Sequence, residues 1–391
     1  MEGNRSRGLG VSSAMSIDYQ QVPSPAYVLD IARLRRNLKQ IARVQERSGV
    51  RIILALKGFA LWRVFPLVAE YLHGATASSL HEARLIQEEM GVKAHTYSLA
   101  YLPGEFDAIQ GVSSHITFNS IAEYERYRGR LKPGISPGLR VNPQYSDVST
   151  DLYNPASPTS RLGLTAEHFP DGLPEGIEGL HIHTLCESAA AASEQLIASV
   201  VEQFGHLFPQ LRWINFGGGH LLTRPGYDTN RLVAALLHFR ESYPHLEVWL
   251  EPGSAIAWET GELVSTVLDV VENGGQQTAI LDVSFTAHMP DTLEMPYRPC
   301  ILGATDPVPG KPTYRLGGVS CLAGDFLEAY SFEQPLQPGD RLVFRDMIHY
   351  TMVKTTTFNG VKHPSICLWT EAGRLEVVRT FGYEDFKNRL G

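Results

Sequence analysis

Residues 179–219 read GLHIHTLCESAAAASEQLIASVVEQFGHLFPQLRWINFGGG and contain a short apolar run, an amphipathic run and a second short apolar run. GLHIHT and RWINFGGG have the length and composition of buried strands, whereas AASEQLIASVVEQFGHLF places its apolar residues at helical spacing. Alternation of this kind distinguishes α/β proteins from other fold classes. The stretch therefore predicts one strand–helix–strand unit.

The same alternation continues on both sides of this unit. Amphipathic stretches such as SLHEARLIQEEM and SIAEYERYRGRL separate several further apolar runs. These runs are RIILALK from Arg51, HGATASS from His73, AHTYSLA from Ala94, HITFNS from His115, GLRVNP from Gly138 and LEVWLEPG from Leu246. The repeat count and length match a (β/α)8 barrel, which we predict for residues 17–260.

The pattern of the sequence changes after residue 260. ELVSTVLDVVEN, TAILDVSF, DRLVFRD and LEVVRTF read as strands, and PVPGKP and QPGD read as turns between them. We therefore predict a β-rich C-terminal domain, a β-barrel or sandwich, over residues 261–391, with residues 17–24 as a candidate extra strand. Residues 1–16 lack the apolar core of a signal peptide and are expected to form a disordered leader.

Composition limits the classes of function. With 43% hydrophobic and 19% charged residues, the chain of 391 residues has an ordinary soluble composition. No segment reaches the roughly 18 uninterrupted apolar residues of a membrane span, so we expect a cytoplasmic protein. A formal charge of −8 without a basic run argues against a nucleic-acid partner. Scattered cysteines predict neither disulfides nor a zinc site; they are Cys186, Cys300, Cys321 and Cys367.

In a (β/α)8 barrel the chemistry lies at the carboxyl ends of the strands, and Lys57 ends the first predicted strand. A lysine whose stem packs in the barrel and whose amine lies at its open end can have a lowered pKa and act as a nucleophile. The alternative is a lysine that caps the strand and points to solvent.

Barrels often bind a phosphate between the loops after strands seven and eight. In this chain the first loop carries Gly217, Gly218 and Gly219, whose backbone N–H groups could face a phosphate, and the second carries Gly253 and Ser254. The alternative for the glycine run is a tight turn.

Glu251 ends the eighth strand and can pair with the ring nitrogen of pyridoxal 5′-phosphate (PLP), which keeps the ring protonated as an electron sink. His181 and His183 lie two apart on one strand and so share a face. We interpret His183 as the ring stacked on the cofactor and His181 as structural. An H-x-H metal pair is the alternative, but no further ligand set accompanies it, so no metal is expected.

The order of LALK, SRLGL, GLHIHTLCES, NFGGGH, LEPGSA, GGVSCLAGD and HYTMVKTTTFNG resembles the fold-type III PLP decarboxylases of ornithine, arginine and diaminopimelate. GATASSLHE, HMPDTLEMPYRP and DMIHYTMVKTTTFNGVKHPSI are most similar to the branch that acts on carboxylated polyamines. The resemblance covers nearly all of the chain from about Pro25. It implies decarboxylation of carboxynorspermidine or carboxyspermidine, a small-molecule carboxy-polyamine substrate, in polyamine biosynthesis.

The resemblance also implies roles for individual residues. Lys57 matches the lysine that holds PLP as a Schiff base, and His183, the glycine run and Glu251 match the cofactor contacts expected above. Cys321 matches a cysteine that returns a proton across the interface of a homodimer with shared sites. Asp325 matches a carboxylate that holds a distal substrate ammonium, and Tyr350 a tyrosine on the phosphate.

Further candidates and departures bear on the substrate. Asp291 and Glu294, in HMPDTLEMP, are additional carboxylates for substrate amines. Ser254, Cys186 and Ala75 replace an arginine, a serine and an aspartate of ornithine decarboxylases, which argues against ornithine. A diaminopimelate decarboxylase, a PLP racemase, a non-catalytic PLP carrier and a metal-dependent barrel hydrolase remain alternatives.

Overall fold

The computed structural model describes residues 16–148, 154–294 and 296–391. The predicted leader therefore lies outside the described residues, apart from Ser16. Among the described residues, no helix is long and apolar enough to cross a membrane. Regular structure starts with β1 (Ala26–Asp30) and α1 (Ile31–Ser48).

A parallel barrel sheet follows. In the described part of the chain its nine strands pair in the order β2-β10-β9-β8-β7-β6-β5-β4-β3. Ile53 lies between β2 and β3, and its N–H donates to the Leu250 carbonyl of β10 over 2.9 Å. This bond closes the sheet into a barrel. The strands are β2 (Arg51–Ile52), β3 (Leu54–Ala55), β4 (Ala75–Ala77), β5 (Ala94–Tyr97), β6 (Ser113–Phe118), β7 (Ser136–Arg140), β8 (Gly179–His181), β9 (Trp213–Asn215) and β10 (Glu247–Leu250).

Helices lie between barrel strands, and a short helix follows the last of them. They are α2 (Phe65–Ala69), α3 (Leu80–Met90), α4 (Phe106–Val112), α5 (Ile121–Tyr127), α6 (Ala190–Phe204), α7 (Thr229–Ser242) and α8 (Ser254–Ala257). Asp30, Ser79 and Ser120 cap α1, α3 and α5 by accepting a main-chain N–H three residues on. The predicted unit at residues 179–219 is the β8–α6–β9 segment, so the α/β barrel prediction is confirmed.

A second, mixed sheet contains the C-terminal strands. They are β11 (Gly261–Asn273), β12 (Gln276–Leu281), β13 (Ala304–Thr305), β14 (Thr313–Gly317), β15 (Phe326–Phe332), β16 (Arg341–Arg345), β17 (Ser365–Trp369) and β18 (Leu375–Arg379). The α-helices described in this part of the chain are α9 (Phe285–His288), α10 (Asp291–Glu294) and α11 (Tyr383–Lys387). β11 begins at the residue where the second domain is predicted to start.

The N-terminal contribution to this sheet is β1, which pairs antiparallel with β11 and parallel with β17. Residues 17–24, the predicted extra strand, form turns instead. Pro23 and Pro25 lack the N–H that a sheet ladder needs, so pairing starts only after them. One apolar cluster joins the two sheets and includes Leu54 of the barrel and Phe344 of β16.

Candidate active site

Lys57 lies two residues beyond β3, in a pocket at the carboxyl end of the barrel. The pocket has about 300 Å³ of empty space, counting its open side. Solvent reaches the Lys57 side chain, yet protein atoms crowd its amine, and this desolvation, together with nearby Arg140, lowers the pKa of Lys57. The pocket lining consists of Ala55, Leu56, Lys57, Thr76, Ser78, Tyr97, Arg140, His181, His183 and Glu251.

His183 contacts Lys57 directly. Its Nε2 lies 2.9 Å from Lys57 Nζ, and its Nδ1 accepts the Gly218 N–H over 3.0 Å. Burial and the nearby Lys57 amine hold the pKa of His183 well below its usual value. The loop after β9 therefore fixes the histidine that the sequence assigns to the cofactor.

Glu251 is buried at the end of β10, and both of its carboxylate oxygens have partners. Its Oε1 lies 2.7 Å from His181 Nε2, and its Oε2 accepts the Asn215 side-chain N–H over 3.0 Å. Burial alone would raise the pKa of Glu251, but His181, Lys57 and Asn215 lower it below the usual value. Glu251 is thus held as a carboxylate at the pocket wall.

The register of the barrel strands places Arg140, His181 and Asn215 at the same height along the barrel. Arg140 of β7 pairs with His181 of β8, which pairs with Asn215 of β9. Side chains in register on parallel strands point to the same face. Asn215 is not among the residues predicted from the sequence, although it lies two residues before the glycine run, just as His181 lies two residues before His183.

The glycine run is required by close packing. A Cβ at Gly217 would lie 2.0 Å from the Ile182 carbonyl, and one at Gly219 would lie 2.2 Å from the Leu185 carbonyl. Both glycines also have positive φ, +73° and +88°. The absence of side chains therefore lets two strand ends approach each other, and the phosphate role of this run stays a prediction.

The loops after the first and last barrel strands also touch through glycines. A Cβ added to Gly58 would lie 2.8 Å from the Gly253 Cα. Ser254, predicted to hold phosphate with Gly253, begins α8 directly after this contact. The contact fixes the distance between the Lys57 and Glu251 loops.

Tyr350 reaches the barrel within the same chain. Its N–H donates to the Gly58 carbonyl over 2.7 Å. Burial and the nearby acidic groups of Cys186, Glu187 and Glu251 raise the pKa of its phenol. The residue predicted to contact phosphate therefore lies next to the Lys57 loop.

Cys321 is exposed and, within the described residues, is not part of the pocket lining. Its N–H donates to the Asn359 side-chain oxygen over 2.9 Å.

Asp325 is buried, and its Oδ1 accepts the Phe285 and Thr286 N–H groups over 2.6 and 3.1 Å. Its Oδ2 accepts the Ser320 N–H and hydroxyl over 3.1 and 2.6 Å. Donors of the chain itself thus engage both oxygens, and the substrate role of Asp325 stays a prediction.

Asp291 and Glu294 have different surroundings. Asp291 is buried, and its Oδ2 accepts the Thr351 and Tyr297 hydroxyls over 2.7 and 3.0 Å. Its Oδ1 has no hydrogen-bond partner among the described residues. Glu294 pairs with Lys354. Of the three carboxylates predicted to bind substrate amines, Asp291 is therefore the one with a carboxylate oxygen, Oδ1, that has no hydrogen-bond partner among the described residues.

The H-x-H alternative finds little support in the geometry, because His181 Nε2 lies against Glu251 and His183 Nε2 against Lys57. Across residues 16–148, 154–294 and 296–391, no group of three or more His, Cys, Asp or Glu residues could hold a metal ion.

Comparison with known proteins gives consistent matches. Residues 26–348 match the family described as pyridoxal-dependent decarboxylase, C-terminal sheet domain. A carboxyaminopropylagmatine decarboxylase of Synechocystis sp. is 53% identical over 95% of this chain and 96% of its own length. A carboxynorspermidine/carboxyspermidine decarboxylase of Campylobacter jejuni is 42% identical over 95% of this chain and 99% of its length.

A solved structure is also similar. It is the crystal structure of carboxynorspermidine decarboxylase complexed with norspermidine from Campylobacter jejuni, with a TM-score of 0.87 and 41% sequence identity. The match covers 94% of this chain and 100% of that chain.

Proposed function

Because the chain belongs to the family of pyridoxal-dependent decarboxylases, we propose that it removes the α-carboxylate of a carboxylated polyamine in polyamine biosynthesis. The observation that carries this proposal is near full-length similarity to decarboxylases named for such substrates. We expect the enzyme to work in the cytoplasm.

The pocket residues fit pyridoxal phosphate. An amine (Lys57), a carboxylate (Glu251) and an imidazole (His183) line one space of about 300 Å³, and the Gly218 N–H binds that imidazole. Two buried nitrogens of the lining, Arg140 Nε and His181 Nδ1, have no hydrogen-bond partner among the described residues. Unpartnered buried donors or acceptors are costly unless a ligand or water satisfies them.

When bound, pyridoxal phosphate supplies an electron sink for the negative charge that loss of carbon dioxide leaves on the substrate. Lys57 would hold the cofactor, and Glu251, kept ionised by His181 and Asn215, would keep its ring nitrogen protonated. Gly217, Gly218, Gly219, Gly253, Ser254 and Tyr350 would hold the phosphate. Cys321 Sγ would return a proton to the substrate α-carbon.

The exposure of Cys321 supports a shared site. Among the described residues Cys321 is not part of the lining of the Lys57 pocket of its own subunit, and its exposed thiol is available to the pocket of a second subunit. The protein would then be a homodimer in which Cys321 of one subunit completes the Lys57 pocket of the other. The backbone contact between Tyr350 and Gly58 indicates that the tyrosine acts in its own subunit.

The names of the relatives suggest two types of substrate. Carboxynorspermidine and carboxyspermidine end in an ammonium, whereas a carboxyaminopropylagmatine ends in a guanidinium. The higher identity to the Synechocystis relative, 53% against 42%, favours testing the guanidinium compound alongside the other two. A guanidinium can bind a carboxylate through two parallel hydrogen bonds, which an ammonium cannot form.

Asp291 is the carboxylate that we propose for a substrate cation. The hydrogen bond from Thr351 to Asp291 links it to the segment that carries Tyr350 and touches the Lys57 loop. We predict that Asp291→Asn raises KM at least about tenfold with little change in kcat, because a desolvated charge pair is lost.

The control for this variant is Thr351→Val, which removes one hydroxyl partner of Asp291 but keeps the charge. Equal KM values in Asp291→Asn and the parent enzyme, in a folded protein, would remove Asp291 from the substrate site. Glu294 and Asp325 can be tested in the same assay.

The decisive experiment measures carbon dioxide release from carboxynorspermidine, carboxyspermidine, carboxyaminopropylagmatine, diaminopimelate and ornithine. We expect the carboxylated polyamines to be preferred, and Lys57→Ala to lose both the release and the borohydride-reducible visible band. A clear preference for diaminopimelate, or racemisation without carbon dioxide release, would contradict the proposal.

A further inference from the structure

His183 has two ring nitrogens, and one of them has an unambiguous role. The Gly218 main-chain N–H points at Nδ1 over 3.0 Å. A peptide N–H can only donate, so Nδ1 must be the acceptor. The hydrogen of a neutral imidazole then lies on Nε2, and an imidazolium, which has two donors and no acceptor, does not fit this contact.

The other nitrogen faces Lys57. Nε2 lies 2.9 Å from Lys57 Nζ, a distance typical of a hydrogen bond. An ammonium has three donors and no acceptor, so it would place a donor against the Nε2 hydrogen. A neutral amine has a lone pair that can accept this hydrogen.

We infer that the Gly218 main chain fixes His183 in the Nε2-protonated tautomer, and that His183 thereby holds Lys57 as a neutral amine. His183 is in this respect a positioning residue for the nucleophile, in addition to its proposed contact with the cofactor ring. The functional meaning of this contact rests on the proposed role of Lys57 in binding the cofactor.

The charges around the pair act in both directions. Burial and Arg140 lower the pKa of Lys57, while Glu251, Cys186 and Glu82 act to raise it. Burial also lowers the pKa of His183, and the groups that add to this effect are Lys57, Arg140, His181 and His220. Both net directions agree with a neutral histidine against a neutral amine.

The consequence concerns the reaction of Lys57 with the aldehyde of pyridoxal phosphate. Nζ forms a bond to the aldehyde carbon, and the aldehyde oxygen leaves as water with the two amine hydrogens. An ammonium must first lose a proton before it can attack, whereas the amine held by His183 is ready to react.

The first test measures how fast a small acylating reagent labels Lys57 in the full-length, cofactor-free protein between pH 6 and 10, by peptide mass spectrometry. Exposed Lys39 is the internal reference amine. We expect His183→Phe, which keeps a ring but has no donor, to slow Lys57 labelling at pH 7 on the order of tenfold. His183→Gln, which keeps a neutral N–H donor, should restore most of the rate.

The second test uses the wild-type protein and so does not depend on whether a variant folds. Nitrogen NMR of the histidine-labelled, cofactor-free wild-type protein distinguishes a hydrogen on Nε2 from one on Nδ1. A His183 ring protonated at Nδ1, or a His183→Phe variant labelled at the wild-type rate across the pH range, would overturn the inference. Neither measurement uses substrate, so a result that overturns the inference about His183 is distinct from a negative result in the decarboxylation assay.

Discussion

The Asp325 carboxylate ties separate segments of the chain together. It binds the start of α9 through Phe285 and Thr286, and it binds Ser320, the residue before Cys321. Buried carboxylates that satisfy several main-chain donors stabilise local structure, because their loss leaves those donors unpaired. The position of the Cys321 loop therefore depends on this side chain.

We predict that Asp325→Ala lowers the free energy of unfolding by about 3 kcal/mol, because buried N–H groups lose their acceptor. Urea denaturation of the cofactor-free protein measures this change. Asp171→Ala, at an exposed turn, is the matched control. A variant of unchanged stability with a raised KM would instead support a direct substrate role for Asp325.

Glu251 predicts a pH dependence of stability. Its pKa in the folded protein lies below the ordinary value of 4.5, so the native state keeps the carboxylate ionised where the unfolded chain takes up a proton. The stabilisation is complete above pH 4.5 and is lost as the pH falls through the lowered pKa.

Glu251→Gln should therefore cost about 3 kcal/mol at pH 7, and the difference from wild type should shrink under acid conditions. Urea midpoints of the two cofactor-free proteins at several pH values measure this. A difference that stays constant into the acid range would show that the charge of Glu251 does not matter.

Single residues differ in how far the sequence predicts their surroundings. Lys57, His183 and Glu251 follow from the rule that barrel chemistry lies at strand ends, and they meet in one pocket. Asn215 could not be found in this way, because its bond to Glu251 depends on the register of β9 against its neighbours. The partners of Asp325 come from distant segments, which no local pattern encodes.

At the level of elements, the glycine contact between the first and last barrel strands sets the geometry of the site. We predict that Gly58→Ala lowers stability by about 2 kcal/mol and weakens cofactor binding, because its Cβ meets main-chain atoms that cannot move aside. Thermal denaturation and titration with pyridoxal phosphate measure the two effects.

Gly111→Ala is the matched control, because nothing lies within 4 Å of its added Cβ. In α4 an alanine should be neutral or slightly stabilising. If Gly58→Ala binds the cofactor as tightly as Gly111→Ala, the contact between the loops does not position Lys57.

Elements were predictable where an apolar run coincides with a strand, as in all the barrel strands. The candidate extra strand near the N-terminus was assigned to residues 17–24, which contain no strand. The actual β1 follows the second proline, and its partners β11 and β17 lie more than two hundred residues away in the sequence. Such pairing depends on tertiary contacts.

At the scale of the whole molecule, the shared site of the proposed dimer can be tested by mixing. Lys57→Ala and Cys321→Ala should each be nearly inactive alone. After joint unfolding and refolding, random pairing should restore up to about a quarter of the wild-type activity, because half of the dimers contain one intact site of two.

The control mixes Lys57→Ala with Glu251→Gln, two changes in the same pocket. In a heterodimer of this pair each pocket carries one of the two changes, so this mixture should recover no activity after joint refolding. Recovery in the mixture with Cys321→Ala but not in the mixture with Glu251→Gln supports the shared site, whereas no recovery in either mixture would indicate that each subunit works alone.

The place of β1 in the second sheet has a consequence for synthesis on the ribosome. This strand leaves the exit tunnel before every barrel strand, yet its neighbours in the sheet, β11 and β17, are translated after the whole barrel. Until they emerge, the edges of β1 have no native partner, and an unpaired strand edge is prone to aggregation. A nascent chain of this protein should therefore depend on chaperones or fast elongation until β17 is complete.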